Sequence, residues 1–484
     1  LTILQTQKGD LFTIENEPIS SLDLMERASI ALVRLLRQKL NKSDKIAVLS
    51  GSGNNGGDAL AVARLLLEVD YQVDVYACSN KGNRSTDNQR NLEQLNHIIT
   101  LDKKQLFNDY DVLIDGLFGS GLTRPLSGYY AEIVEGVNES ACKVYSIDIP
   151  SGMFGDKVTR DVPVISSDWL ITLQRPKLSF FFPESKDYIK NWDVVDIWLN
   201  ASYLHKVDSN YYILDSKISR ILRGRERFSH KGTYGHAALF SGSFGRMGAA
   251  VLCSRACVRS GVGLLTVYIP ACGYNIMQTS VPEAMVFTMG DRHLNDTLEL
   301  KNYTVVGVGP GIGVTQETTF MLKELITRSS VPMVLDADAL NILSKNKEYL
   351  KLLPEGSILT PHPKEFERLV GKCADSLERI EKQISLSSRY NCIVVYKDAY
   401  TTISSPSGNV YFNTTGNPGM ATGGSGDVLT GIITGLIAQG YNALEAALLG
   451  VYAHGRSGDS ALKVKDQMTL IASDLIDNLN FENW

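Results

Sequence analysis

The chain holds 484 residues with 48 basic and 53 acidic side chains, a formal net charge of −5. At about 150 residues per domain this is room for two or three domains, and 44% hydrophobic with 21% charged residues is the balance of a folded chain, not a disordered one. The mild negative charge lacks the basic footprint that nucleic acid or an anionic membrane demands, so an anionic ligand must be held locally, by loops and helix ends.

The first residues, LTILQTQKGDLF, have neither the basic start nor the apolar run of a signal peptide. The longest charge-free apolar run, residues 428–444, is interrupted by glycines and too polar to span a bilayer. A cytoplasmic enzyme is expected, with small-molecule partners, no nucleic acid and no membrane, assembling as a homo-oligomer. Seven cysteines are scattered without a CxxC. Cys253 and Cys257 lie four apart, as on one helix face, but no second ligand pair follows, and buried free thiols are the better reading.

In the first half, residues 45–49 (KIAVL) form a short β-rich run ending in the turn SGSGNNGGD, and 59–68 carry apolar residues at helical spacing. Strand-like runs follow at 72–77, 111–115, 143–148 and 168–173, with helical patterns between several of them, as at 86–96 and 128–137. That alternation predicts a mostly parallel sheet with helices on both faces, and such sheets bind ligands in the loops beyond their carboxyl ends. Those loops carry Asn54-Asn55-Gly56-Gly57-Asp58, Asp115 opening DGLFGSGLTRPLSG, and Asp148 opening DIPSG. Glycines permit tight turns and a helix N-terminus offers unpaired N–H groups to an anion. The Asn side chains offer carbonyl oxygens to ribose hydroxyls or a hard cation, and Arg124 can clamp a phosphate. Singly each Asp is as well read as a helix cap or turn former; three polar loops at the ends of one sheet converge, which favours a site.

NNGGD, DGLFGSGL and DIPSG, in that order, resemble the NAD(P)H-hydrate epimerase domain over about residues 10–200, and 18–28 (PISSLDLMERA) resemble its N-terminal helix. The resemblance implies a Rossmann-like three-layer α/β/α domain over 1–208. It further implies damaged nicotinamide nucleotide held by Asn54, Asn55, Gly56, Gly57, Asp58, Gly119, Ser120, Gly121, Leu122, Thr123, Arg124, Pro125 and Asp148. A potassium ion is implied at Asn55, Asp115 and Ser151. Ala59 and Ser120 stand where a Gly and a Thr are common. In the hydrate, C6 of the ring carries a hydroxyl beside N1, and its reversible loss needs a proton donor and then a base. Asp148 is the expected catalytic group in both directions; for the acid role its pKa has to rise, by burial or a neighbouring Asp.

Polar residues, the RGRER cluster at 223–227 and a loss of periodicity mark a join around 204–227. A second α/β series follows, with strand-like runs at 235–240, 264–269, 304–308, 333–336, 357–360 and 392–397 and a helical stretch at 247–260. The sharpest signal is the glycine-dense loop 416–426 running into the apolar helix 427–439: NPGMATGGSGDVL. Amides at that helix start form an anion hole for a transferring phosphoryl group, and Asp427 stands where a base can take a proton from an attacking hydroxyl. The bland alternative is a Gly-rich helix start capped by Asp.

GxGD at a helix start resembles the ribokinase-like kinases, and NPGMATGGSGDVLTG resembles their NAD(P)H-hydrate dehydratase branch. HKGTYG at 230–235, GSFGRMGAA at 242–250, VGPGIG at 308–313, LDADAL at 335–340, TPHPKE at 360–365 and KDAYT at 397–401 agree with that branch. The likeness covers about 212–480 and implies a ribokinase-like α/β domain over 209–484. Ala249, Gly311, His362 and Asp427 would bind the hydrate, and Lys397, Asp398, Ala399, Tyr400, Thr401 and Gly426 would bind ADP. Asp336 and Asp338 either bind Mg²⁺ or cap the next helix, with capping slightly favoured. Asp398 and Lys364 replace family glycines. A carboxylate about 4 Å from a phosphate costs up to about 4 kcal/mol at an effective dielectric of 20, so Asp398 is expected to face solvent.

The implied chemistry is epimerisation of the R and S hydrates, NADHX and NADPHX, and ADP-driven dehydration of the S form with Mg²⁺, giving NAD(P)H, AMP and phosphate. Asp427 and Asp148 would be the catalytic residues. A vitamin or sugar kinase with an accessory domain, and a non-catalytic nucleotide sensor, remain as alternatives; retention of Asp58, Asp115, Asp148 and Asp427 together speaks against the sensor.

Overall fold

A computed structural model describes residues 1–78, 83–101, 103–295, 300 and 302–481. The chain divides into two compact units, Leu1–Ser209 and Asn210–Trp484. In the first, strands β1 (Lys45–Ser50), β2 (Gln72–Ala77), β3 (Ile99–Thr100), β4 (Val112–Gly116), β5 (Lys143–Ile147), β6 (Trp169–Leu173) and β7 (Trp192–Val195) form one sheet in the order β3-β2-β1-β4-β5-β6-β7. All its pairings are parallel. Ile46, Ala47, Val48 and Leu49 are wholly buried, the pattern of a central strand covered on both faces. The strand order reverses between β1 and β4, so the loops after those two strands flank the crevice where open α/β sheets take ligands.

Two local features depart from the sequence reading. NNGGD is not a loop before a helix; it opens helix Asn54–Leu67, capped by Gly53. A side chain at Gly56 would lie 2.1 Å from the Gly51 carbonyl oxygen, so the glycine is what lets the helix start hard against the end of β1. Residues 3–16, which carry no clear periodicity, form helix Ile3–Asn16, held by a Thr2–Gln5 capping box. The segment 18–28 lies mostly in helix Ser21–Leu36, started by a Ser20–Asp23 capping box.

The second unit is built on β8 (Tyr211–Leu214), β9 (His236–Phe240), β10 (Leu264–Ile269), β11 (Met285–Thr288), β12 (Val305–Val308), β13 (Met333–Leu335), β14 (Ile358–Leu359), β15 (Ile393–Tyr396), β16 (Thr402–Ser404) and β17 (Val410–Asn413). Their order is β11-β10-β9-β12-β13-β14-β15-β16-β17-β8, parallel throughout except for the β15–β16–β17 meander. The reversal here falls between β9 and β12. The join expected at 204–227 is not structureless: β8 pairs with β17 and closes the sheet edge.

Helix Ser425–Ala438 is buried from Val428 to Ala438 and packs on helix Met247–Arg259. Side chains at Gly431 and Gly435 would meet the Cys253 and Cys257 carbonyl oxygens at 2.1 and 2.8 Å, so both cysteines lie in a helix–helix seam as buried thiols. Among the described residues no helix is long and apolar enough to cross a membrane, and no group of His, Cys, Asp and Glu is placed to hold a metal by itself.

Candidate active sites

In the first unit the loops after β1, β4, β5 and β6 meet. Asp115, at the end of β4, is fully buried and accepts four hydrogen bonds: Leu117 N and Ser151 Oγ on one oxygen, Ser146 Oγ and Ser151 N on the other. Burial pushes its pKa up and these donors oppose the rise. Asn55 and Asn54 part company: Asn54 is exposed, while Asn55 is buried with Oδ1 and Nδ2 both lacking a partner. Gly119 lies beside it, and a side chain there would stand 3.3 Å from Asn55 Oδ1.

Asp148 follows β5 with a left-handed backbone, φ +67°. One carboxylate oxygen accepts the Ser120 N–H at 3.1 Å and the other lies 2.6 Å from Lys177 Nζ. Lys177 follows β6 and is 1% exposed, a lysine wholly enclosed. Burial alone would raise the Asp148 carboxyl, but the Lys177 ammonium and the Ser120 N–H outweigh it and hold the pKa below the usual range. Asp148 therefore does not show the rise expected for the acid role. Two neighbouring carboxyls are shifted the other way. Asp58, on the second turn of its helix, is driven well above the ordinary carboxylate range by burial and by the charges of Asp148, Asp10 and Asp87. Asp10, on helix Ile3–Asn16, is pushed up to about 6 by burial and the Asp148 charge, against Lys177. Gly121, Thr123, Arg124 and Pro125 are exposed on the outer arm of the loop, with Leu122 half-buried.

In the second unit the loops after β9, β12, β13, β14 and β15 converge. Gly424 (φ +93°) caps helix Ser425–Ala438 and puts Asp427 in its first turn. A side chain at Gly426 would lie 3.2 Å from Lys397 Nζ and 3.6 Å from Asp336 Oδ2. Lys397, just after β15, pairs with Asp336 at 2.7 Å, and the other Asp336 oxygen accepts Thr430 Oγ1 at 2.7 Å. Asp336 occupies the cap position of helix Ala337–Lys345 but makes no cap hydrogen bond, so the capping reading fails: its side chain is spent on Lys397 and Thr430. Asp338 accepts Gly313 N at 2.8 Å and pairs with Arg246 at 3.2 Å. No cation pairs with Asp427 among the described residues, and burial with the nearby Asp336 charge pushes it up to about 7 against Lys397.

His362 caps helix Pro363–Val370, with Pro363 at its first position. Its Nδ1 accepts Lys364 N and Glu365 N, which places the proton on Nε2, 3.3 Å from Glu365 Oε1. Burial and the Lys397 charge lower its pKa, so the ring is neutral. Glu365, almost enclosed, is pushed up to about 7 by burial. Gly311 and Ala249 are brought together, 3.2 Å between the Ala249 Cβ and a Cβ built at Gly311. Of the 397–401 loop, Lys397 stands at this centre. Asp398 and Ala399 are exposed, Asp398 Oδ1 takes the Ala399 N–H, and Thr401 Oγ1 donates to the Asp398 carbonyl; Tyr400 is half-buried. Lys364 is exposed. Behind the glycine loop, half-buried His454 has its Nε2 3.0 Å from the Ser425 carbonyl oxygen, and desolvation lowers its pKa to about 4.

Lys177, Asp10, Thr430 and His454 escaped the sequence reading. The one readable signal is Lys177 in RPKLSFFFP, a lysine beside an aromatic run that must be buried.

Fold and sites together define a two-domain α/β enzyme whose reacting groups stand at the carboxyl ends of parallel strands. Residues 237–480 match the NAD(P)H-hydrate dehydratase family and residues 21–179 match the YjeF-related protein N-terminus. The chain is 33% identical to the bifunctional NAD(P)H-hydrate repair enzyme Nnr of Moorella thermoacetica, covering 96% of this chain and 92% of that one. It is 32% identical to the Coxiella burnetii enzyme of the same name, covering 95% and 94%. Among solved structures it is similar to an ADP/ATP-dependent NAD(P)H-hydrate dehydratase from Bacillus subtilis co-crystallised with ATP/Mg²⁺: 32% identity, 54% of this chain, 93% of that one, TM-score 0.47. The chain belongs to the family of bifunctional NAD(P)H-hydrate repair enzymes.

Proposed function

We propose that the first unit interconverts the R and S hydrates of NADH and NADPH, and that the second dehydrates the S form at the expense of ADP. The observation that carries the reading is Asp427: a carboxylate with no ion-pair partner among the described residues, ionising near neutrality, in the first turn of a helix whose glycine-lined start faces Lys397.

In the second unit Asp427 takes the proton of the C6 hydroxyl as that oxygen attacks the terminal phosphorus of ADP. The new O–P bond forms as the bond to AMP breaks, with amides of the 423–426 loop holding the transferring group. The C6–O bond then breaks with its electrons on phosphate, and the N1 lone pair followed by loss of the C5 proton restores the double bond of NAD(P)H. Lys397, fixed by Asp336, supplies charge to the nucleotide phosphates. The protein offers few free carboxylates here, which suits a Mg²⁺ carried mainly by the phosphates, with Asp336 the carboxylate beside Gly426. When bound, that ion would neutralise phosphate charge.

In the first unit, protonated Asp58 gives its proton to the departing hydroxyl while N1 stabilises the C6 cation. Water returns to the other face and its proton passes to a carboxylate, the ionised Asp148 or the vacated Asp58. The partnerless Asn55 amide oxygen fits a weakly hydrated monovalent cation, K⁺ by the family likeness; Asp115, satisfied by four donors, would supply charge rather than an empty lone pair. A bound K⁺ would counter substrate phosphate.

The test is incubation of mixed hydrate epimers with ADP, ATP or neither, following reduced cofactor and AMP. Full conversion with one AMP per reduced cofactor is expected. Arrest at the S fraction refutes the first activity, and a stable phosphorylated product, as a vitamin or sugar kinase would give, refutes the second.

A further inference from the structure

The second unit contains a cavity of about 310 Å³ that the reaction just described does not use. Its walls come from consecutive strand-end segments: Arg246 after β9, Val314 after β12, Asp338, Asn341 and Lys345 on helix Ala337–Lys345, and Arg368 on helix Pro363–Val370. Three cations thus face one carboxylate. That carboxylate is already committed, since Asp338 Oδ2 accepts both Gly313 N and Arg246 Nη1. Arg368 donates one N–H to Asn341 Oδ1 at 2.6 Å, leaving the rest of its guanidinium fork without a carboxylate among the described residues. Lys345 is exposed and makes no ion pair among them.

The cavity adjoins the reacting centre. A Cβ at Gly311 would lie 3.0 Å from the Arg246 carbonyl oxygen and 3.2 Å from Ala249 Cβ, and Arg368 rides on the helix that His362 starts. It therefore sits at the reversal of strand order between β9 and β12, where open α/β sheets receive their ligands. Surplus positive charge in one lining, with planar donor forks and a flexible ammonium, is the chemistry of a phosphate site.

We propose that Arg246, Lys345 and Arg368 bind a phosphate of the hydrate substrate at a distance from its nicotinamide ring, an inference that rests on the dehydratase reading above. Two phosphates of the substrate share this chemistry, the 2′-phosphate present only in the NADPH hydrate and the pyrophosphate common to both hydrates. The experiment measures KM and kcat for each S-hydrate, and KM for ADP, in the wild type, in Lys345→Ala/Arg368→Gln and in Arg368→Lys. Because both side chains lie at the surface, the double variant is expected to melt with the wild type. KM for the NADPH hydrate should rise about tenfold with kcat and the ADP KM nearly constant, and Arg368→Lys should recover part of the loss. A rise for the NADPH hydrate alone assigns the 2′-phosphate; an equal rise for both assigns the pyrophosphate. Unchanged KM for both hydrates, or a rise confined to ADP, overturns the site. A wild type that dehydrates neither hydrate refutes the dehydratase reading itself, and the inference falls with it.

Discussion

The two units place a carboxylate at the same kind of position and give it opposite proton states. In the first, the buried Lys177 goes to Asp148 and holds it ionised, while Asp58 keeps its proton. In the second, Lys397 goes to Asp336 and leaves Asp427 to titrate near neutrality. Burial acts on all of these groups alike; the partner chosen by one lysine decides which carboxylate is charge-compensated and which is left to titrate at higher pH. Residue type and loop position do not determine chemistry without that choice.

The comparison is broken most sharply at its poised member. Asp427→Asn should lower dehydration of the S-hydrate by about 10²–10⁴-fold, the usual worth of a positioned base, with ADP affinity nearly intact by calorimetry. Next, Lys177→Met leaves Asp148 charged and alone in the interior, so the first unit should lose about 3–5 kcal/mol in denaturant unfolding together with R/S interconversion. Adding Asp148→Asn should restore much of the stability and none of the activity.

The pH profiles should run in opposite directions. Asp427 works as a base, so dehydration rises with pH and levels off above about 7. Asp58 works as an acid, so epimerisation is retained at neutral pH and falls on the alkaline side. Stability carries the same signature. A carboxyl raised from 3.8 to about 7 binds more protons folded than unfolded between those values, so its contribution falls as pH climbs through that window. Asp427→Asn should flatten that slope in melting curves.

Smaller effects sharpen the picture at its edges. Asn55→Leu should abolish any preference of epimerisation for K⁺ over Na⁺ and lower the rate several-fold, because it removes the buried, partnerless amide oxygen at the start of that helix. Asp398→Gly should change the ADP KM by less than about twofold, since the carboxylate is exposed and turned onto its own loop.

Much of this was legible in the sequence, and the reasons differ by element. Wholly apolar runs such as residues 46–49 announce central parallel strands, and glycine-rich strand ends announce the site loops. The helical first turn at Asn54 was hidden because two glycines there look like a turn, whereas they serve close packing, Gly56 against Gly51 and Gly57 against Met25. The short strands β16, β17 and β8, at one end of the second sheet, have no periodicity long enough to read. Asp148 and Asp427 stand out by their motifs, but their proton states depend on Lys177, 29 residues from Asp148, and on the Lys397–Asp336 pair, whose members are 61 residues apart, and no local pattern records a pairing of that kind.

The most direct measurement is a carboxyl-carbon NMR titration of the full chain labelled at aspartate, with Asp427→Asn and Asp148→Asn assigning the resonances. One signal titrating near pH 7 and lost in Asp427→Asn, with the Asp148 signal remaining ionised below the ordinary aspartate range, is the predicted result. Both signals titrating together as ordinary aspartates would contradict the account.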